Sequence, residues 1–142
     1  PYTAKDQACK YDSAKGKAKV LEYADVSVNG QATQTKQNMM ASVTTAPLSI
    51  AIQANQIAFQ SYSSGVLTSG CGPLLDHAVQ LVGYNSDTST PYWIVRNSWG
   101  ASWGKSGFIY IGQGQGSGIA PNAGVCGINE KPYSVTATNW TA

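Results

Sequence analysis

Along the 142 residues, apolar positions fall into short runs of differing period. In "PLSIAIQ", Leu48, Ile50 and Ile52 alternate with Ser49, Ala51 and Gln53, the period of a half-buried strand. "KVLEYADVSV" alternates partially and reads as another strand. Between them, "TQTKQNMMASVTTA" (33–46) places Met39, Met40 and Val43 on one helical stripe and predicts a short amphipathic helix that stops before Pro47. "IAFQSYSSGVLTSGCGP" predicts a helical turn followed by a loop. "HAVQLVGY" (77–84) is a more continuous apolar run closed by Gly83, as in a buried strand. A polar loop (85–91), a strand in "YWIVRNS", tight turns in "WGASWGKSG" and a strand in "FIYI" follow. "GQGQGSG" (112–118) lacks the Lys-Ser/Thr pair and the helix of a phosphate loop, and is expected to be a mobile hairpin loop linking strands. Several strands with one substantial helix predict an α+β protein, its β part an antiparallel β-barrel-type domain or twisted sheet.

Composition narrows the function classes. This length suits one domain able to bury roughly two-thirds of its surface. Charge is sparse at 11%, glycine plentiful at 15, and the net charge only +2. The lysines gather near the start (Lys5, Lys10, Lys15, Lys17, Lys19) with only Tyr11 and Tyr23 among them, so the aromatic-and-basic face of a nucleic-acid binder is missing. No apolar run approaches a membrane span. The chain opens on Pro1 rather than Met, as expected after removal of a leader or within a longer polypeptide. None of the three cysteines makes a CxxC or Cys/His pair of zinc spacing, so neither metal nor cofactor is expected. Their odd number predicts a free thiol or a partner outside the chain. "NWT" makes Asn139 a glycosylation acceptor in a secretory setting.

Candidate chemistry centres on His77, the single histidine. Histidine is the side-chain type suited to proton transfer near neutrality, although a lone histidine opening a strand also serves as a structural polar group. Twenty residues on, Arg96 and Asn97 interrupt an apolar strand ahead of Trp99. A buried asparagine needs hydrogen-bond partners. Asn97 either caps the strand end or accepts a hydrogen bond from the His77 ring. A hairpin bracketed by the two centres near residue 87, inside the polar loop, which favours side-by-side placement on antiparallel strands.

"GCGPLLDHAVQLVGYN", "YWIVRNSWGASWGKSGFIYI" and "GVCGI" resemble the C-terminal half of papain-like cysteine peptidases, the group of papain and cathepsin L. "PYTAKDQACKYD" and "APLSIAIQA" resemble that family's mid-chain segment and central strand, so the likeness runs from Pro1 to about Tyr133. It implies that residues 1–142 are the β-rich half of such an enzyme. The family's "CGSCW"-type motif is absent, so the nucleophilic cysteine and the oxyanion hole are expected from an N-terminal half, on a separate chain or missing from this sequence. The chain alone is then expected to be inactive. By the same likeness His77 is the base, Asn97 its orienting amide, and Trp99 the cover over their hydrogen bond and a lining of the leaving-group side. Cys71 pairs with Cys126, and Cys9 with a cysteine of the absent half. The resemblance further implies an oxidising lysosomal, vacuolar or extracellular compartment, peptide or protein substrates, and propeptide or cystatin-like inhibitors as partners.

Ala51, Leu75 and Ala78 match positions lining the pocket for the second residue before the scissile bond, with room for a bulky apolar side chain. Its floor falls near Glu130 and Lys131: a glutamate would admit basic residues and a lysine would oppose them. Asp76 is expected at the cleft rim. Two other readings remain: a papain-fold binding or inhibitory module without catalysis, and a glycan-binding β domain using Trp93, Trp99, Trp103 and Trp140.

Overall fold

A computed structural model describes residues 5–139. Its centre is one antiparallel six-stranded sheet in the order β1-β6-β2-β3-β4-β5. In chain order the strands are β1 (Ala18–Asp25), β2 (Leu48–Ile52), β3 (His77–Asn85), β4 (Tyr92–Arg96), β5 (Phe108–Gly112) and β6 (Tyr133–Asn139). Two helices interrupt them, α1 (Ala32–Val43) and the single turn α2 (Ile57–Gln60).

The core forms where the alternation is cleanest. Leu48, Ile50 and Ile52 of β2 point inward, and Leu81, Trp93, Val95, Ile109 and Ile111 meet them from β3, β4 and β5. Each such side chain stabilises the fold by about 1.5–3 kcal/mol through lost water contact. The helical stripe is Thr35, Met39 and Val43, with Met40 at its margin. Among the described residues no side chain caps the start of α1; the Thr35 hydroxyl instead accepts from Val28 N–H at 2.8 Å and donates to Val28 C=O, while Asn38 donates to Val26 C=O at 3.1 Å. These bonds tie the helix to the chain leaving β1.

One expectation needs correction, and one strand went unread. "GQGQGSG" does not link hairpin partners: β5 and β6 stand at separate places in the sheet, and the chain runs from that loop through 3-10 turns at Pro121–Ala123 and Val125–Gly127. β6 was not anticipated, although Tyr133, Val135 and Ala137 alternate with Ser134, Thr136 and Thr138 in "YSVTATN" with the period of a strand. It pairs with β1 along Asp25↔Tyr133 to Ala18↔Asn139 and touches β2 at Ser49↔Tyr133. No described helix is long and apolar enough to cross a membrane.

Candidate active site

His77 opens β3, and Asn97 follows immediately on the last residue of β4. The β3–β4 ladder runs Gln80↔Arg96 and Leu81↔Val95, then slips at a bulge before Gly83↔Ile94. Extended by one residue, that register sets Asn97 opposite Val79. His77 is therefore its diagonal neighbour on the same face, within reach of a ring and an amide. The ring Nε2 and Asn97 Oδ1 lie 2.8 Å apart.

The amide orientation follows from a second contact. Ser98 N–H donates to the same Oδ1 at 2.7 Å, so that atom is the acceptor, and Nε2 must be the donor. In the neutral ring the lone pair then resides on Nδ1, which has no hydrogen-bond partner among the described residues. Asn97 is 8% exposed, and its Nδ2 is buried without a partner. An orphaned donor of this kind costs about 1–3 kcal/mol, a cost carried where the oxygen's aim matters. Asn97 thus ends the strand and holds the ring at once.

Aromatic rings fix the imidazole from the other side. Trp99 lies 5.1 Å from it at 33°, and Phe59 of α2 meets it edge-on at 6.4 Å. Phe59 is fully buried and also touches Trp99 at 5.4 Å and Trp103 at 5.2 Å. Trp103 is anchored by its indole N–H, which donates to Gln60 C=O at 2.9 Å. The turns between β4 and β5 make this convergence possible. At Gly104, with φ at +58°, a Cβ would fall 2.5 Å from the Phe108 carbonyl, so only glycine allows the chain to fold back there. Sequence reading missed Phe59, although it is the one large aromatic of its short helical turn.

An open groove of about 320 Å³ is lined by His77, Trp99, Asp76, Ala54, Asn55 and Gln60. The Asp76 carboxylate accepts from Ala54 N–H at 2.7 Å and Asn55 N–H at 3.3 Å, and its own N–H donates to Ile52 C=O. These bonds fasten the start of β3 to the end of β2, so Asp76 serves the backbone as well as bordering the groove. Ala51 and Ala78 are cross-strand partners, as are Ile52 and His77. Leu75 packs on Gly127 so closely that a Cβ there would lie 2.7 Å from its Cδ2. Lys131 and Glu130 are exposed and border a separate cleft with Asp25 and Asn129, whose lining includes none of Ala51, Leu75 and Ala78.

Cys71 and Cys126 form a disulfide across 55 residues of sequence, and Cys9 is free and exposed. Asn139 is exposed at the end of β6; Thr141 of its sequon and Trp140 of the glycan-binding reading lie outside the described residues. Among the described residues, no group of His, Cys, Asp and Glu could hold a metal ion.

A family model described as papain family cysteine protease matches residues 1–136. The chain is 41% identical to cysteine proteinase RD21A of Arabidopsis thaliana, a match covering 93% of this chain and 27% of that protein. It is 38% identical to fruit bromelain of Ananas comosus, covering 96% of this chain and 36% of that one. Among solved structures, the bromelain protease of Ananas comosus in complex with the E64 inhibitor matches with a TM-score of 0.76 at 36% identity, over 96% of this chain and 59% of that chain. The chain thus spans only a part of the relatives it matches.

Proposed function

Because the chain belongs to the papain family of cysteine proteases, we propose that it is the base-bearing half of a thiol endopeptidase, completed by an N-terminal half that carries the cysteine. The observation that supports this most is the His77–Asn97 contact, with Nε2 committed to the amide and Nδ1 left open.

An ordinary thiol, with a pKa near about 8.5, is mostly protonated at neutrality. Nδ1 of His77 takes that proton, giving a thiolate–imidazolium pair that attacks the scissile carbonyl. The imidazolium then returns the proton to the departing amine. Asn97 keeps the ring in one tautomer and orientation. A neutral amide suffices, since the thiolate balances the charge. Trp99 shields the His77–Asn97 bond from water and borders the leaving-group side. The other half contributes the oxyanion hole through a backbone N–H and a glutamine amide. Ala51, Leu75 and Ala78 line the pocket for the second residue before the cleaved bond, and Cys9 bridges to the N-terminal half. The Cys71–Cys126 bridge fits a vacuolar, lysosomal or extracellular setting. Peptides and proteins are the substrates, with a propeptide or cystatin-like protein as inhibitor.

The test combines the chain with an N-terminal half bearing the thiol and follows hydrolysis of a fluorogenic peptide. The chain alone is expected to be silent and the assembly active. E64 should block turnover, and His77→Ala should lower it by about 10²–10⁴-fold. Thiol-blocked turnover by the lone chain, or an assembly that binds peptide without cleaving it, would defeat this reading; the second result favours a non-catalytic module.

A further inference from the structure

Gln53 is the least expected buried polar residue of the molecule. It follows β2 directly, is 5% exposed, and lies outside the His77–Asn97 contact. Its two ends hold two different segments. The backbone N–H donates to Cys126 C=O at 2.8 Å, and the side-chain Oε1 accepts from Gly72 N–H. Gly72 follows Cys71, so Gln53 spans the two sides of the disulfide from within.

The disulfide joins these segments at one point only and leaves the turn from Gly72 to Leu75 undetermined. Farther on, Asp76 N–H is fixed to Ile52 C=O at 3.0 Å. Gln53 supplies the missing fixture at the near end. With both ends held, Leu75 is set down on Gly127, whose φ of +76° and bare Cα leave room for it.

We infer that Gln53 is a positioning residue for substrate selection: by holding Gly72 it fixes Leu75 as the wall that a bulky apolar side chain meets beside His77. This rests on the peptidase reading above. The chemistry required at position 53 is an acceptor of this length, not an amide as such. A glutamate keeps the acceptor, a leucine keeps the volume and loses it, and an asparagine keeps the amide but falls one methylene short.

The experiment uses the assembled peptidase and two peptides that differ only in carrying Leu or Gly as the second residue before the scissile bond. With Gln53→Leu, KM for the Leu peptide should rise about tenfold, the scale of a lost apolar pocket contact. kcat, and both constants for the Gly peptide, should stay within about twofold. Gln53→Glu should restore the low KM. If Gln53→Leu does not fold, Gln53→Asn carries the same expectation. Equal changes for the two peptides, or none, would overturn the inference. Hydrogen exchange at the Gly72 amide separates this from failure of the peptidase reading. That amide should exchange slowly in the wild type and Gln53→Glu, and fast in Gln53→Leu. If the wild type cleaves neither peptide, the peptidase reading fails, and equally fast exchange in all three proteins would remove the clamp as well.

Discussion

The His77 corner and the β1–β6 ribbon belong to the same sheet, yet they are held by different means. Around His77 the strands alternate between a core face and a groove face, and Phe59, Trp99 and Trp103 close over the ring. Along β1 every residue is exposed, Leu21 by 58%, and ring contact comes down to Tyr23 against Tyr133 at 6.0 Å. Backbone pairing alone is enough to make a strand. Placing an imidazole within a few tenths of an ångström requires burial on top of it.

The sharpest test of that contrast is Phe59→Ala. Removing a fully buried ring costs about 3–5 kcal/mol, read as a lowered denaturation midpoint at unchanged slope. Loss of ring order at His77, seen as a changed imidazole NMR signal, should accompany it. A cost below about 1 kcal/mol would show that the aromatic cluster holds nothing. Next comes Asp76→Ala, which leaves two backbone N–H groups without their carboxylate and should cost about 1.5–3 kcal/mol, measured the same way. Tyr62→Phe is smaller, about 1 kcal/mol. The Tyr62 hydroxyl donates to Gly65 C=O at 2.6 Å and accepts from Tyr110 N–H at 3.3 Å. Burial pushes its pKa above the ordinary 10.0. A raised value means stability that is intact below that pH and lost as pH rises through the folded-state value. The phenylalanine variant should lack this component of alkaline unfolding. Smallest of all, Leu21→Ser in the isolated chain should stay within about 0.5 kcal/mol. A larger cost there would mean that the ribbon is packed after all, and the comparison would fail.

Legibility in the sequence cuts across that divide. β1 and β2 were readable from alternation, β3 from its more continuous apolar run, β4 and β5 from short apolar segments between turns, and α1 because Met39 and Val43 sit one helical turn apart. The hairpin argument placed His77 and Asn97 on neighbouring strands. It could not foresee the bulge at Leu81/Gly83, which shifts the register so that Asn97 falls opposite Val79 rather than Gln80 and shares a face with His77. β6 alternates too, Tyr133, Val135 and Ala137 against Ser134, Thr136 and Thr138, and was passed over; it is mostly exposed, and its pairing with β1 is not written in its own period. Phe59, Gln53 and the backbone bonds of Asp76 escaped for one reason: each acts through residues about twenty or more positions away, and no local period records that. The pairing of Cys71 with Cys126 came from family likeness, because flanking glycines permit a bridge without choosing its partner.

One consequence of the ribbon concerns handling rather than catalysis. Among the described residues β1 has β6 as its only strand neighbour, so its other side offers a row of unpaired peptide groups. Such a rail invites lateral stacking of identical molecules into fibrils. Lys19, Glu22 and Asp25 along it, with Lys17 just before, act as gatekeepers because stacking would strip water from their charged ends. Replacing these four by serine should therefore shorten shelf life in concentrated stocks.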